Sequence, residues 1–210
     1  MRLLRAGQHR RMRWKNGLGE TTEIAVSPDE ASLDDLDWRV SMALVAADGP
    51  FSAFPGIDRT LCVLEGESIV LSIGARPAVT LTRVSEPIAF PADMKTTGRL
   101  VNGKIIDLNV MTRRGKLRHH VKRIAIEGAV TVPCDADITL LLSRSDGLNM
   151  AAGSRRETLD KDDAVIFDEP LELTLGSASE ATAFIVELAS RYEQRSRPGQ
   201  MPRPSPASPL

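Results

Sequence analysis

The sequence predicts an all-β fold built from two packed modules. Three observations carry that expectation. Runs of Val, Ile, Leu and Thr recur at five to eight residues; Gly, Pro, Asp and Asn punctuate them; and almost no stretch sustains the 3.6-residue period of an amphipathic helix. A faint internal repeat points to the two modules. Thr60-Leu-Cys-Val-Leu followed by Glu86-Pro-Ile-Ala-Phe90 resembles Thr139-Leu-Leu-Leu-Ser followed by Asp163-Ala-Val-Ile-Phe167. Each half is too small to be comfortable alone, so the two should pack together.

Taken in order, the expected strands are Thr21–Val26, Trp38–Val45, Thr60–Leu64, Ser68–Ile73, Val79–Leu81 and Ile105–Met111 in the front half. Val121–Glu127, Ala129–Val132, Ile138–Leu142, Ala164–Phe167, Leu171–Leu175 and Ala183–Ala189 follow in the back half. The acidic piece Asp29–Asp35 reads as a helical turn, and Tyr192–Arg195 as another. These boundaries give a front module over residues 1–115, a back module over 116–190 and a tail over 191–210, with exchange of a strand between modules compatible with the pattern. From Pro198 onward, five of thirteen residues are proline and the apolar pattern stops, so the tail should stay disordered or loosely docked.

Composition excludes several classes of function. The 27 basic and 28 acidic residues leave a net charge of -1, which gives no pull toward nucleic acid or an anionic membrane. The Arg-rich start (Arg2, Arg5, Arg10, Arg11, Arg13) reads as a solvated strand face, since aromatic stacking residues are scarce. No apolar run approaches the roughly 20 residues of a membrane span, and Met1 is not followed by a signal-peptide core. The expected location is the cytoplasm, with Cys62 and Cys134 as buried thiols.

Chemistry is concentrated in the front half. Gly49-Pro50-Phe51-Ser52-Ala53-Phe54-Pro55-Gly56-Ile57-Asp58-Arg59 holds two of the five Phe on a stretch stiffened by proline and turned by glycine. Two rings beside Ser52, Asp58 and Arg59 supply apolar walls with a few directed polar groups, the usual makeup of a small-molecule site. A loop plugging a barrel end with its Phe side chains fits the same residues. Alternation along strands adds polar pairs on single faces: Thr21 with Glu23, Arg39 with Ser41, and Asp107 with Asn109. Thr22, Ile24 and Val26 fall on the face opposite Glu23. If the sheet closes into a barrel, these pairs meet inside it. Arg39 there needs a carboxylate or an anionic ligand, and Glu23 and Asp107 are available as internal partners. Trp14-Lys15-Asn16-Gly17 reads as a hairpin turn whose Lys15 and Asn16 add hydrogen-bond donors.

Metal, phosphate-loop and nucleophile chemistry lack their motifs. Histidines number three (His9, His119, His120), the adjacent pair would point to opposite faces of a strand, and no Cys-x-x-Cys occurs. No metal site and no cofactor are expected. No catalytic residue is assigned; were the protein an enzyme, Glu23 and Asp58 would be its acid–base groups.

Four segments together resemble the HutD/Ves family of bacterial bicupins: Trp14-Lys-Asn-Gly-Leu-Gly-Glu-Thr-Thr-Glu-Ile24, Trp38-Arg-Val-Ser41, Gly49 through Arg59, and Asp107-Leu-Asn-Val-Met-Thr-Arg-Arg114. The resemblance implies two metal-free cupin barrels (jelly rolls of the RmlC type) in one chain, and an association with histidine utilization in which a ligand-sensing role limits pathway output. One departure is Ala92 in Phe90-Pro-Ala-Asp93, where the family pattern has Gly.

These readings combine into one expectation. A small anionic metabolite, of urocanate or N-formylglutamate type by the resemblance, binds in the front barrel. Arg39, with Arg59 or Lys15, engages its carboxylate; Asn16, Ser41, Ser52 and Asn109 direct hydrogen bonds; Phe51 and Phe54 cover the apolar part; Glu23, Asp58 and Asp107 complete the polar lining. The alternative is a metal-independent isomerase or hydrolase acting on a pathway intermediate. No nucleic-acid or membrane partner is expected, and a homodimer through an exposed sheet edge is the assembly to test.

Overall fold

The computed structural model describes residues 1–14, 17 and 19–190. Among them the regular structure is strand, apart from one 3-10 turn at Ala6–Gln8. The front half contains β1 (Arg2–Leu4), β2 (Arg10–Arg13), β3 (Gly19–Ser27), β4 (Trp38–Val45), β5 (Gly49–Pro50), β6 (Ile57–Glu65), β7 (Ser68–Ile73), β8 (Val79–Thr82), β9 (Ile88–Pro91), β10 (Thr96–Val101) and β11 (Ile105–Arg113). The back half contains β12 (Leu117–Cys134), β13 (Ile138–Ser143), β14 (Leu148–Ala152), β15 (Arg155–Leu159), β16 (Ala164–Phe167) and β17 (Leu171–Ser190).

Three antiparallel sheets result. One runs β2-β3-β4-β11-β6-β9, and a smaller one β5-β10-β7-β8. The third runs β1-β16-β13-β17-β14-β15, with β12 also paired to β17. The first strand of the chain thus lies in the sheet of the back half, where Leu3 sits opposite Val165.

Alternation along the strands decides what each face buries. Outward-facing Trp38, Val40, Met42, Cys62, Leu108 and Val110 of the six-stranded sheet pack on Leu140, Leu142, Ile166, Phe184, Val186 and Leu188 of the seven-stranded one. Both of these sheets therefore bury apolar residues on both faces. Inside the back half, Leu141, Leu148, Phe167, Leu173, Leu175 and Ile185 fill the interior with hydrocarbon. Inside the front half, Leu61, Val63, Ile69, Leu71, Phe90 and Ile105 fill one end, and the polar rows described below occupy the other.

Several expectations change in detail. Val121–Glu127 and Ala129–Val132 are one strand, β12, kinked where Gly128 takes a φ of +75° and the register with β17 shifts. Leu171–Leu175 and Ala183–Ala189 likewise join as β17, because the polar stretch between them is exposed strand and not a loop. Val26 does not share a face with Ile24. An extra residue between Glu23 and Ala25 forms a bulge opposite β4, so Val26 pairs with Arg39 and turns inward to pack on Met111. Asp29–Asp35 closes only isolated turns, with Glu30 at a φ of +61° and Leu36 N–H donating to the Ser32 carbonyl. Tyr192–Arg195 lies outside the described residues. No helix of the described residues is long and apolar enough to cross a membrane.

The faint repeat has a structural counterpart. β6 pairs with β9, setting Arg59 opposite Phe90, and β13 pairs with β16, setting Thr139 opposite Phe167. Cys62 and Cys134 are both free and buried.

Candidate functional site

Cross-strand register turns the polar pairs of the sequence into rows across the inner face of the six-stranded sheet. Arg39, Met111, Arg59 and Phe90 form one row from β4 to β9. Glu23, Ser41, Asn109 and Leu61 form the next, and Thr21, Ala43, Asp107 and Val63 the one beyond. At the edge, β2 sets Arg10 opposite Glu23 and Met12 opposite Thr21. Facing these rows is the loop that carries Phe51 and Phe54. It is tied down by Phe51 N–H donating to the Thr96 carbonyl at 2.9 Å and Phe54 N–H donating to the Ala92 carbonyl at 3.0 Å. Gly98 makes room for it: a Cβ there would sit 2.8 Å from the Phe51 ring.

The space between sheet and loop is a cavity of about 790 Å³, of the size that takes a small metabolite. Glu23, Arg39, Ser41, Phe51, Ser52, Phe54, Arg59, Asp107 and Asn109 all line it, so nine of the twelve residues singled out in the sequence converge. Asp58 does not. It alternates to the other face of β6, where Arg114 holds it at 2.8 Å and also binds Asp93 at 2.9 Å, fastening the start of β6 to the loop after β9. Ala92 fits beside this fastening without left-handed backbone, its N–H donating to the Ile57 carbonyl, which explains why a residue with a Cβ serves there. Lys15 and Asn16 lie outside the described residues. On either side of them, Trp14 N–H donates to the Gly19 carbonyl at 3.0 Å.

The charges inside the cavity are not equivalent. Arg39 donates from Nε to Glu23 at 2.6 Å, and both side chains are nearly buried, so this pair compensates itself. Arg59 is 4% exposed, and its Nε has no hydrogen-bond partner. Its guanidinium carbon stands 5.6 Å from the centre of the Phe51 ring and 5.2 Å from that of Phe54, within cation–π range of both. Burial lowers its pKa to about 10, opposed by Asp107 and assisted by Arg39, which leaves it charged at neutral pH. Asp107 is fully buried at the base of the rows. Its Oδ1 accepts from Asn109 Nδ2 at 2.5 Å while Oδ2 has no partner. Burial pushes its pKa up to about 7, against the pull of Arg59, of Asn109 and of the Ala43 backbone.

Some lining residues escaped the sequence reading. Trp14 closes one end of the cavity, its Nε1 donating to Thr21 Oγ1 at 2.8 Å and its ring lying so close to Gly19 that a Cβ there would meet it at 2.8 Å. Arg10, Met12 and Thr21 join it from the first hairpin. The signal for Thr21 was present, since it shares a face with Glu23; nothing in the short polar run Arg10–Arg13 marks which of its residues turn inward. A second cleft of about 200 Å³ lies by His9, Met42 and Arg144, but Arg144 is already engaged by Glu65 and Asp162. Among the described residues, no group of three His, Cys, Asp or Glu is placed to hold a metal ion.

Comparison with known proteins agrees with this architecture. Protein Ves from Citrobacter koseri is 36% identical over 110 residues, which is 52% of this chain and 56% of that one, so the matched chain spans little more than half of that relative's length. The crystal structure of a conserved protein of unknown function from Pseudomonas aeruginosa PAO1 matches at 31% identity with a TM-score of 0.83, covering 90% of this chain and 98% of the other. The structure of HutD from Pseudomonas fluorescens SBW25 matches at 26% identity and a TM-score of 0.73, with the same coverage. A cupin 2 conserved barrel domain protein from Leptotrichia buccalis shares the fold at 8% identity and a TM-score of 0.55, covering 84% of this chain and 91% of its own, and places the curled sheets among cupin-type barrels. The HutD family model matches residues 6–185, and with these rows, this loop and this fold the chain belongs to the HutD family.

Proposed function

We propose that this protein is a metal-independent bicupin that binds a small anionic metabolite in its front barrel and thereby senses or limits histidine utilization. The observation that carries the reading is Arg59. It is a buried cation whose Nε lacks a hydrogen-bond partner, held against two aromatic rings on the wall of a ligand-sized cavity. Burying a charge is costly, and a carboxylate arriving in the cavity would offset that cost with a charge-assisted bond to the guanidinium. Ser41 and Asn109 stand in the adjacent row to direct the rest of such a ligand, and Phe51 and Phe54 offer it an apolar cover. The HutD name of the family and of the Pseudomonas fluorescens relative supports the pathway, and urocanate and N-formylglutamate are the ligands to try first.

Binding fits the geometry better than turnover by the two carboxylates that the enzymatic alternative would use. Glu23 is closed onto Arg39, and Asp58 is fastened to Arg114 outside the cavity. Calorimetric titration of the full chain with urocanate and with N-formylglutamate tests the reading. One of them should bind, and Arg59→Met, which keeps most of the packing volume, should weaken that binding about 10- to 100-fold through loss of a hydrogen bond to a charged group. No binding by either compound, or an unchanged affinity in Arg59→Met, would contradict it.

A further inference from the structure

Resting on the anion-binding reading above, we propose that the cavity takes up its anion together with a proton, and that Asp107 is the group that receives it. The ligand class is thereby narrowed to acids that enter, in net terms, with a proton, so that the site treats a bound carboxylate as the undissociated acid.

The geometry behind this is a charge count along the rows. Arg39 and Glu23 cancel one another through a 2.6 Å bond. That leaves Arg59 and Asp107 as the two groups of opposite sign whose buried polar atoms, Nε and Oδ2, lack hydrogen-bond partners. Arg59 from β6 acts on the Asp107 charge, and Cys62 on the far face of β6 feels that charge in turn; the other charged groups lining the cavity are Arg39 from β4, Glu23 from β3, Arg10 and Arg13 from β2, Glu30 and Asp48. Of these, Arg59 is the charge that favours an ionised Asp107, whereas burial of the carboxyl opposes it. The two influences hold the Asp107 pKa at about 7.

A carboxylate bound on Arg59 neutralises the one charge that supports ionisation, and adds a negative charge above a carboxyl that no solvent reaches. Protonation of Asp107 then becomes easier, and its proton belongs on Oδ2, since Oδ1 already accepts from Asn109. The same linkage read from the ligand's side fixes the sign. Because binding raises the Asp107 pKa, affinity is highest and level below about pH 7, and falls as pH rises above it, by at most tenfold per unit, until the raised pKa of the complex is passed. Arg59 loses its charge only near pH 10, outside this window.

The experiment is calorimetric titration of the full chain with N-formylglutamate, whose carboxylates stay ionised between pH 6 and 9, and in parallel with urocanate. It is run at pH 7.5 in phosphate and in Tris, and as a pH series from 6 to 9. The expected result is a binding heat that differs between the two buffers in the sense of proton uptake, with a roughly tenfold loss of affinity between pH 7 and 8.5. In Asp107→Asn both the buffer dependence and the pH slope disappear. A wild-type heat that is the same in both buffers, with measurable binding, would overturn the inference while leaving the anion site in place. A slope that persists in Asp107→Asn would do so too, by assigning the proton to another group. No heat from either probe would overturn both this inference and the reading on which it rests.

Discussion

Arg59 and Arg39 stand in the same row of the inner face, on either side of Met111, yet the structure gives them different work. Arg39 was legible in the sequence as a charge on a strand face that a closed sheet would bury, and Arg59 as a polar group beside the two rings of the proline-stiffened stretch. Which of them is compensated was not, because it depends on the bulge that sets Glu23 opposite Ser41 and within reach of Arg39. A single extra residue in a pairing register leaves no mark in a period-2 pattern. A buried histidine gives a test at this scale. His119 bridges the hydroxyls of Thr112 at 2.7 Å and Thr60 at 2.8 Å, and burial pushes its pKa down to about 4, with Asp58 opposing and His120 assisting. An unfolded histidine titrates near 6.5, so the unfolded chain binds the proton more readily between these values. The stability that His119 contributes is therefore complete above pH 6.5 and is lost as pH falls through 4, on the order of 3 kcal/mol. Asp107 works against it over much of the same range, since its raised pKa makes ionisation costly as pH rises toward 7. Denaturant melts of the wild type and His119→Gln between pH 7 and 4.5 separate the two. The variant should start less stable and lose less on acidification, whereas parallel pH profiles would show that His119 is not held neutral.

At the level of elements, the strands that the sequence showed most clearly are the apolar and β-branched ones. Trp38–Val45, Ser68–Ile73 and Ala164–Phe167 match their expected bounds. Strands β10, β14 and β15 carry Arg, Asn or Glu at positions that stay at least partly exposed, so their pairing is decided by neighbours and not by their own composition. The loop from Gly49 to Gly56 stood out in the sequence through its Phe, Gly and Pro, but its anchoring to β10 was invisible because the partner is an undistinguished Thr-Thr-Gly run. That anchoring yields the second test. A methyl group at residue 98 would lie 2.7 Å from Ile69 and 2.8 Å from the Phe51 ring, so Gly98→Ala should cost about 1–3 kcal/mol of stability through overpacking. It should also weaken ligand binding several-fold by displacing the ring from the cavity wall. An unchanged affinity alongside a lowered melting temperature would remove Phe51 from the binding surface.

On the scale of the whole molecule, the two halves are unlike in one respect that matters. The back half fills its interior with Leu, Phe and Met, while the front half keeps three polar rows and a cavity of about 790 Å³. The alternation of Arg39 with Val40 or Asp107 with Leu108 already divided polar from apolar faces, and the aliphatic strands of the back half carried no comparable polar pairs. The crossing of β1 into the sheet of the back half was not readable, since three residues of Arg-Leu-Leu carry too little pattern to name a partner 160 residues away. The interface between the halves is built from the outer faces of the same strands whose inner faces hold the polar rows. Trp38, Val40 and Met42 thus fix the position of Arg39 and Ser41 by packing against the back half. This rigid backing favours a site formed before its ligand arrives. The most direct test is a crystal structure of the chain with whichever of urocanate or N-formylglutamate binds. A ligand carboxylate about 3 Å from the Arg59 guanidinium, lying between the Phe51–Phe54 loop and the row of Ser41 and Asn109, is the predicted result. A ligand seated instead in the cleft beside Arg144, or in the cavity with Arg59 left unengaged, would contradict it.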